Sequence, residues 1–383
     1  MNNRDQNSPI TNVNAILPDA YDRACIHRGY LPQSKIRIAL SKTLADSSKA
    51  QFSNLHRDLD AKSWEAVAEA FAFLAARQPS ALLGRDVQMN ANGASDLNSS
   101  LILQALLPSI ASVEMLANSL GPASAATIGS HLSSKSSLLR RLKLGGNHFT
   151  GDNIAPLLHG VASNTMLQQL HLAENRLGDT GAGLLATALW SNATLTSLCL
   201  RDTGMTSVGI GLLVNAVVTN PFSALTEFDI KKNPVLIATA FTPLLKFSPR
   251  LTMLDVSHCG IDAKGCTGLS DALAQNQSLR FLSLSGNPIG DADMSSIFTA
   301  MCRATCAVSA LSVEDCGLTG KIAPSAPAGP GARPVPPPVP HWRQPHRDGR
   351  GPCHRGGARQ GDPPPPAVHP AVPHRVLRPR RGP

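Results

Sequence analysis

The stretch L-Q-Q-L-H-L-A-E-N-R-L at residues 167–177 has the pattern LxxLxLxxNxL. Leu170 and Leu172 alternate along it, so both side chains project to one face of a short strand. Asn175 turns the chain inward, where its amide satisfies buried backbone groups. The pattern recurs about every 28 residues, with its first apolar anchor at Ile110, Leu139, Leu167, Leu195, Leu225, Leu251, Leu279 and Val308. This recurrence predicts a stack of copies of one unit.

Asparagine occupies the Asn position in most copies, and a small polar or thiol side chain takes its place in three. Thr203, Cys259 and Cys316 are the replacements, and we expect them to make part of the same contacts. The motif resembles the leucine-rich repeat family, and its length resembles the ribonuclease-inhibitor-like class. The resemblance covers residues 110–318, and weakly 84–109. It implies an α/β solenoid, or horseshoe, with parallel strands on the concave face and helices on the convex face. An ordinary leucine-rich parallel α/β domain is the alternative.

Composition divides the chain into four segments. Residues 1–20 are polar and expected to be disordered, and 21–83 form a helical head. The head caps the apolar end of the stack, with Trp64 and Phe71 in its core. Residues 84–320 form the solenoid of about eight or nine repeats. Residues 321–383 are rich in proline, arginine and glycine and are expected to be disordered.

The connectors between strands carry helices. From 139 to 307 we expect uniform helices, whereas the Ser-, Ala- and Gly-rich stretch after Leu120 predicts a less regular one. Asn164, Asn192, Asn220 and Asn276 recur near helix ends, where a residue that tolerates left-handed geometry ends the element. The pairs Gly181-x-Gly183 and Gly209-x-Gly211 lack a third glycine and a Gly-Lys-Ser/Thr ending. They therefore indicate helix starts rather than a phosphate loop.

Charge is distributed unevenly. Residues 1–320 hold 24 Lys+Arg and 24 Asp+Glu, while 321–383 hold 11 and 2, so the tail accounts for the net charge of +9. The basic balance is therefore no sign that the solenoid binds nucleic acid. No apolar run is long enough to span a membrane, and the first residues lack a signal peptide's apolar core. We expect an intracellular, cytoplasmic protein, with a cilium, flagellum or centrosome as the sharper hypothesis.

A binding site is expected on the concave face, where residues between the apolar anchors project. The candidate residues run from basic to acidic along the stack and are Arg140, Arg141, Lys143, Gln169, His171, Glu227, Asp229, Lys231, Met253, Asp255 and Phe281. Such a polarised surface favours a protein partner of complementary charge. No small-molecule substrate or cofactor is expected. No metal is expected either, because the eight cysteines show no four-ligand spacing.

Three alternatives stay open beside a non-enzymatic scaffold. His171, Cys199 and Asp229 occupy one position in successive repeats, which suggests a catalytic row without visible oxyanion donors. An inhibitor or GTPase-activating protein resembling ribonuclease inhibitor or Ran GTPase activator is the second. In the third, the tail acts, through proline-rich 333–340 on an SH3 or WW domain or through its arginines on RNA or an anionic surface. The abrupt change near Lys321 also fits a shifted reading frame.

Overall fold

The structure, a computed structural model, describes residues 13–43, 49–51, 61–77, 83, 86–303 and 306–319. Within these ranges ten short strands form one parallel sheet whose spatial order follows the sequence. The strands are β1 (Lys49–Gln51), β2 (Asp86–Gln88), β3 (Ser112–Glu114), β4 (Arg141–Lys143), β5 (Gln169–His171), β6 (Ser197–Cys199), β7 (Glu227–Asp229), β8 (Met253–Asp255), β9 (Phe281–Ser283) and β10 (Ala310–Ser312).

Helices connect the successive strands, as a parallel sheet requires. In the described ranges they are α1 (Val13–His27), α2 (Ser34–Thr43), α3 (Ala61–Arg77), α4 (Asp96–Leu106), α5 (Pro122–Leu132), α6 (Ala155–Ser163), α7 (Gly178–Ser191), α8 (Ser207–Thr219), α9 (Thr242–Phe247), α10 (Leu269–Gln275) and α11 (Asp291–Met301). A 3-10 turn at Ala238–Ala240 precedes α9. This α/β solenoid is the fold class that the repeat predicts.

The middle residue of each strand from β2 to β10 faces the core. In β5, Leu170 is buried, whereas Gln169 and His171 on either side are half-buried on the opposite face. The anchors Leu167 and Leu172 are also buried, and a single apolar cluster runs through the stack. Each buried leucine contributes about 1.5–3 kcal/mol before conformational entropy is subtracted. Stability is therefore spread along the chain and depends on neighbouring repeats.

The Asn position of the motif forms a ladder between repeats. Asn175 Nδ2 donates to the carbonyl of Leu144 in the preceding repeat at 3.0 Å and to that of Leu172 at 2.9 Å, and its Oδ1 accepts from Phe149 N–H at 3.2 Å. The same kind of bonding recurs at Asn118, Asn147, Asn233 and Asn287. Thr203, Cys259 and Cys316 each donate to one or more main-chain carbonyls, which confirms that they make part of these contacts.

A second ladder lies at the helix ends, and its geometry corrects the sequence expectation. Asn192 follows α7 with φ −74° and ψ 127°, which is extended and not left-handed. Its Nδ2 donates to the carbonyl of Val161 in the preceding repeat at 2.9 Å, and its Oδ1 accepts from Leu195 N–H at 2.8 Å. The extended form aims the amide across the repeat boundary. Asn164, Asn220 and Asn276 are also extended and donate to the preceding repeat.

Aspartates at helix starts link one helix to the next. Asp179 in α7 accepts from Thr206 N–H at 2.8 Å, from Thr206 Oγ1 at 2.6 Å and from Gly209 N–H at 3.1 Å, all at the start of α8. A Cβ at Gly209 would lie 2.3 Å from Asp179 Oδ1, so a larger residue there would displace the Asp179 carboxylate from these bonds. Both glycine pairs lie within helices, in agreement with the helix-start interpretation. Asp96 and Asp291 make the equivalent contacts to the main chain at Gly121 and Thr319.

The head shows two differences from expectation. Helix α1 begins at Val13, inside the segment 1–20 predicted to be disordered. Ile16, Leu17 and Tyr21 are buried in the same apolar cluster as Trp64 of α3, so tertiary packing stabilises a helix that local polarity disfavours. Strand β1 lies within 21–83, and it pairs with β2, so the sheet begins one strand before the predicted solenoid boundary.

The connecting helices are also less uniform than predicted between 139 and 307. Helix α9 has 6 residues and α10 has 7, whereas α7 has 14. The step from Leu225 to Leu251 is the shortest in the stack, which leaves less chain for α9. By contrast, α5 is a regular helix of 11 residues. Its Gly129 lets the backbone approach α6 closely, since a Cβ there would lie 2.1 Å from the Pro156 carbonyl oxygen.

The proline-rich segment 333–340 and the arginines of the tail lie outside the described residues. The predictions made for 321–383 therefore stay predictions.

Candidate functional site

Two rows of side chains cross the sheet on the side opposite the helices, and together they are called the strand face. Parallel register aligns one residue per strand in each row. From β2 to β10, row one is Asp86, Ser112, Arg141, Gln169, Ser197, Glu227, Met253, Phe281 and Ala310. Row two is Gln88, Glu114, Lys143, His171, Cys199, Asp229, Asp255, Ser283 and Ser312.

In the N-terminal half of the strand face, acids and bases neutralise each other. Arg141 Nη2 lies 2.6 and 2.7 Å from the two carboxylate oxygens of Asp86, two strands away. Lys143 Nζ lies 3.4 Å from Glu114 Oε2. The predicted basic start of the lining is thus balanced by β2 and β3, whose acidic residues the sequence interpretation left out. The sequence does contain a signal for one of these acidic residues, because the spacing of the Ile110 repeat already places Glu114 in the second row.

The central strands carry carboxylates without a cation. Glu227, Asp229 and Asp255 lie on β7 and β8, and among the described residues no Lys, Arg or His nitrogen is within 4.0 Å of their oxygens. Asp229 Oδ1 accepts from Lys231 N–H at 2.9 Å and Oδ2 from Cys199 Sγ at 3.3 Å. Burial and the neighbouring carboxylate of Asp255 raise the pKa of Asp229. A cationic group brought to this place would relieve that repulsion.

His171 stands beside this cluster as a neutral imidazole. Its Nδ1 is buried with no hydrogen-bond partner. The ring packs over Gly145, where a Cβ would lie 3.0 Å from Cε1. Burial, with the positive charges of Arg201 and Lys143, lowers the pKa of His171 to about 4. The ring is therefore uncharged at neutral pH.

The pKa of the Cys199 thiol opposes a nucleophilic role for this residue. Burial, followed by the charge of Asp229, raises the pKa of the Cys199 thiol well above its ordinary value. The Sγ donates to Asp229, so the thiol is held protonated, whereas a nucleophile needs a thiolate. The strand register does bring His171, Cys199 and Asp229 together as the sequence suggested. With a neutral imidazole and a protonated thiol, the three residues form a polar surface rather than a catalytic row.

A charged rim follows the strands. The residue before the Asn position takes a left-handed conformation in each repeat, for example Glu174 with φ 58°, Lys232 with φ 58° and His258 with φ 54°. This turn exposes those side chains. Arg201 Nη2 lies 2.6 Å from Glu174 Oε1, so this pair is neutral. Lys231 and Lys232 follow β7 closely in the chain, and the Lys231 N–H donates to Asp229 Oδ1. Partial burial, with the two lysines, lowers the pKa of His258.

The C-terminal strands end the face with hydroxyl groups. Ser257 and Ser283 oxygens lie 2.5 Å apart, and Ser285 and Ser312 oxygens 2.7 Å apart. Phe281 in row one is only 7% exposed, unlike half-buried Met253 beside it. Phe281 therefore offers little surface to a partner.

Some of the remaining predicted residues lie in row one, and the others lie just before or after a strand. Met253 and Gln169 lie in row one, and Lys231 lies just past β7. Arg140 precedes β4 and is exposed, and its carbonyl accepts from Gln168 N–H at 2.8 Å. Arg201, near Asp229, is a further charged residue that the predicted site omitted.

Two negative findings concern only the described residues. None of their helices is long and apolar enough to cross a membrane. They also contain no group of three or more His, Cys, Asp or Glu side chains that could hold a metal ion.

The geometry defines a repeat solenoid with a polar, open strand face. The family model described as Leucine Rich repeat matches residues 163–186, 248–270 and 275–298. The chain is 37% identical over 70 residues to mouse NACHT, LRR and PYD domains-containing protein 4E, which covers 18% of this chain and 7% of that protein. It is 32% identical over 100 residues to pig ribonuclease inhibitor, covering 25% of this chain and 22% of the inhibitor.

The chain thus contains leucine-rich repeats, and it is similar to ribonuclease inhibitor over part of its stack. It spans less than a quarter of the length of these curated relatives. Among solved structures it is similar to an internalin from Listeria monocytogenes, with 15% identity, a TM-score of 0.38, and coverage of 82% of this chain and 94% of the internalin. Leucine-rich repeat solenoids serve in general as protein-interaction scaffolds.

Proposed function

We propose that this chain is a non-enzymatic scaffold that binds a protein partner through its strand face, around β7 and β8. The unpaired carboxylates of Glu227, Asp229 and Asp255 carry the proposal. In β2 to β4 the acids have cationic partners within the same face, whereas these three have none among the described residues. Charged groups left without partners are costly to bury unless the incoming surface is complementary.

The shape of the face supports a macromolecular partner. Its side chains lie on rigid strands whose backbone is fixed by the ladders at the Asn positions. Such a pre-formed surface loses little freedom on binding. The lysines of the charged rim and the carboxylates of β7 and β8 together would orient the partner. A partner bound in the reverse orientation would meet like charges.

The test uses proximity labelling and affinity capture with the full chain. Asp255 accepts from Ser257 N–H at 2.9 Å. Glu227→Lys combined with Asp255→Asn removes two of the three unpaired negative charges, and the new amide keeps a side-chain oxygen that can accept this bond. The proposal expects the partners recovered with wild type to be lost. Asp229 is left unchanged because it is buried and bonded to Cys199.

A matched control changes charge equally elsewhere. Asp152→Lys with Asp271→Asn alters two exposed carboxylates outside the strand face. This control should keep the wild-type partners. An identical set of partners with the Glu227/Asp255 double variant would contradict the proposal.

Ribonuclease inhibition is a second candidate, favoured by the similarity to ribonuclease inhibitors over part of the stack. It predicts that the full chain suppresses RNA cleavage by a pancreatic-type ribonuclease, and that the Glu227/Asp255 double variant does so less. Unchanged cleavage at high protein excess would exclude this candidate. The intracellular location stays a prediction, to be tested by imaging the tagged full chain.

A further inference from the structure

Side chains bond neighbouring repeats on the strand side and on the helix side, but this bonding is incomplete around the repeat 225–250. Ser248 follows α9, at the position where the asparagines of the second ladder follow their helices. Its Oγ is buried and has no hydrogen-bond partner among the described residues. By contrast, Asn220 donates to the Leu189 carbonyl of the preceding repeat at 2.9 Å. Helix α8 also contains no acidic residue that could bond the start of α9, as Asp179 bonds the start of α8.

On the strand side, the weakly bonded boundary lies one step later, between β7 and β8. Cys259 occupies the Asn position after β8, and its Sγ lies 3.5 Å from the Ile230 carbonyl oxygen. After β7, Asn233 Nδ2 donates to the Leu200 carbonyl of the preceding repeat at 2.8 Å. A thiol is a weaker donor than an amide. The side chains after these strands therefore join β7 more firmly to β6 than to β8.

Helix α9 is bonded in the opposite direction, to the repeat that follows it. Asn276 Nδ2, at the end of α10, donates to the Leu245 carbonyl of α9 at 2.6 Å. Towards the preceding repeat, Arg250 Nη1 donates to the Ser223 carbonyl at 3.3 Å, but this bond is exposed and water can replace it. Strand β7 thus belongs with the repeats before it, and α9 belongs with those after it.

Residues 234–240, here called the joint, lie between β7 and α9 and contain a strained residue. Leu236 has φ 59°, in the left-handed region that a Cβ makes unfavourable. Gly178 and Gly290 occupy the corresponding position in other repeats, three residues after the Asn position, with φ 57° and 82°. The joint ends in the 3-10 turn, and α9 after it is the shortest α-helix in the described part of the chain. The strain therefore lies where the two groups of repeats meet.

We propose that the joint divides the stack into two cooperative units. The C-terminal block, which is the described residues within 242–319, unfolds as one unit while the repeats up to β7 stay folded. Each repeat contacts only its neighbours, so the stack separates where neighbours are coupled most weakly. The strand register places Asp229 beside Asp255 across this boundary, and their like charges favour opening.

The proposed partner site has carboxylates on both sides of the boundary, on β7 and on β8. A partner bound to both strands would therefore hold the C-terminal block folded. This consequence rests on the proposed function, whereas the joint itself does not.

Native-state hydrogen exchange of the full chain without a partner, measured by peptide mass spectrometry, tests the joint. Amides of α9, α10 and α11 should share one opening constant. This constant should be at least about 10-fold larger than that of α5 to α8, because two bonds between repeats are missing or weak. Ser248→Asn should lower it about 5-fold, since the new amide can donate to the preceding repeat as Asn220 does. Ser191→Asn is the control, because it adds the same side chain at an exposed position outside the ladder, and it should leave both constants unchanged.

Fraying from the C-terminal end would also accelerate exchange in these helices, but it produces a gradient. Exchange would then be fastest in α11 and slowest in α9, and Ser248→Asn would not alter it. Such a gradient overturns the proposal, and so does one opening constant shared by α5 to α11. A Ser248→Asn variant that exchanges like the Ser191→Asn control also overturns it. Since no partner is present in this measurement, its outcome is independent of the partner-capture experiment.

Discussion

Replacing Asn175 by alanine removes one rung of the ladder that joins neighbouring repeats. The side chain is 1% exposed, and its amide bonds Leu144, Leu172 and Phe149. The Leu144 carbonyl keeps a second donor, Asn147 Nδ2 at 2.8 Å. The Leu172 carbonyl and the Phe149 N–H lose their side-chain partner. At about 1–3 kcal/mol for each of these two unsatisfied buried groups, the expected loss of folding free energy is about 2–6 kcal/mol.

Asn175→Thr provides an internal comparison. Thr203 shows that a hydroxyl in this position reaches the carbonyl three residues earlier, at 2.7 Å from Leu200. A threonine at position 175 should therefore keep the bond to Leu172 and lose the bonds to Leu144 and Phe149, of which only the Phe149 N–H is left without a side-chain partner. The expected loss is about 1–2 kcal/mol, which is smaller than that for alanine.

Urea unfolding followed by circular dichroism measures both losses. Asn215→Ala is the control, because Asn215 is exposed on α8 and alanine is the better helix former. Its free energy of unfolding should change by less than about 0.5 kcal/mol. The reasoning is refuted if Asn175→Ala matches this control, or if Asn175→Thr is as costly as Asn175→Ala.

Three further predictions follow from individual contacts. Gly209→Ala should destabilise by about 2 kcal/mol or more through its clash with the Asp179 carboxylate, whereas Gly211→Ala, in open space, should stabilise by about 0.5–1 kcal/mol; urea midpoints that move together would contradict this. Because the pKa of His171 falls from 6.5 to about 4 on folding, the unfolded state binds more protons between these values, and stability decreases as pH falls through that window. His171→Gln should abolish up to about 3 kcal/mol of this loss in unfolding titrations at pH 7 and pH 4, and equal slopes would refute it. Cys199 should react with iodoacetamide at pH 7.5 at least about 10-fold more slowly than free cysteine, as measured by peptide mass spectrometry, and equal rates would show that the thiol is ionised.

The sequence was sufficient for the repeat architecture because each anchor recurs where a strand needs it. Leu170, Asn175 and Leu177 have roles that depend only on local spacing. The strand register then follows, and with it the alignment of His171, Cys199 and Asp229. Chemistry within the rows required coordinates, since it depends on distance and burial. The Asp86–Arg141 pair joins residues 55 positions apart, and no local pattern indicates it.

Helix lengths and the first helix were harder to predict for a different reason. Helix α1 contains Pro18 and several polar residues, and it forms because Leu17 and Tyr21 pack in the head. The residue before the Asn position likewise has a left-handed backbone in every repeat, although its type changes, for example from Glu174 to Lys232. Tertiary packing and backbone geometry decide these features, and a single sequence records them weakly.

Because Asp179 bonds the start of α8, a substitution in one repeat can destabilise a different repeat. The carboxylate belongs to one repeat, but the N–H groups it satisfies belong to the following one. Loss of this side chain should therefore raise amide exchange in α8 more than in α7 itself. Through the aspartate bonds, weakness introduced at one repeat is passed to its C-terminal neighbour, whereas through the asparagine ladders it is passed to the N-terminal neighbour.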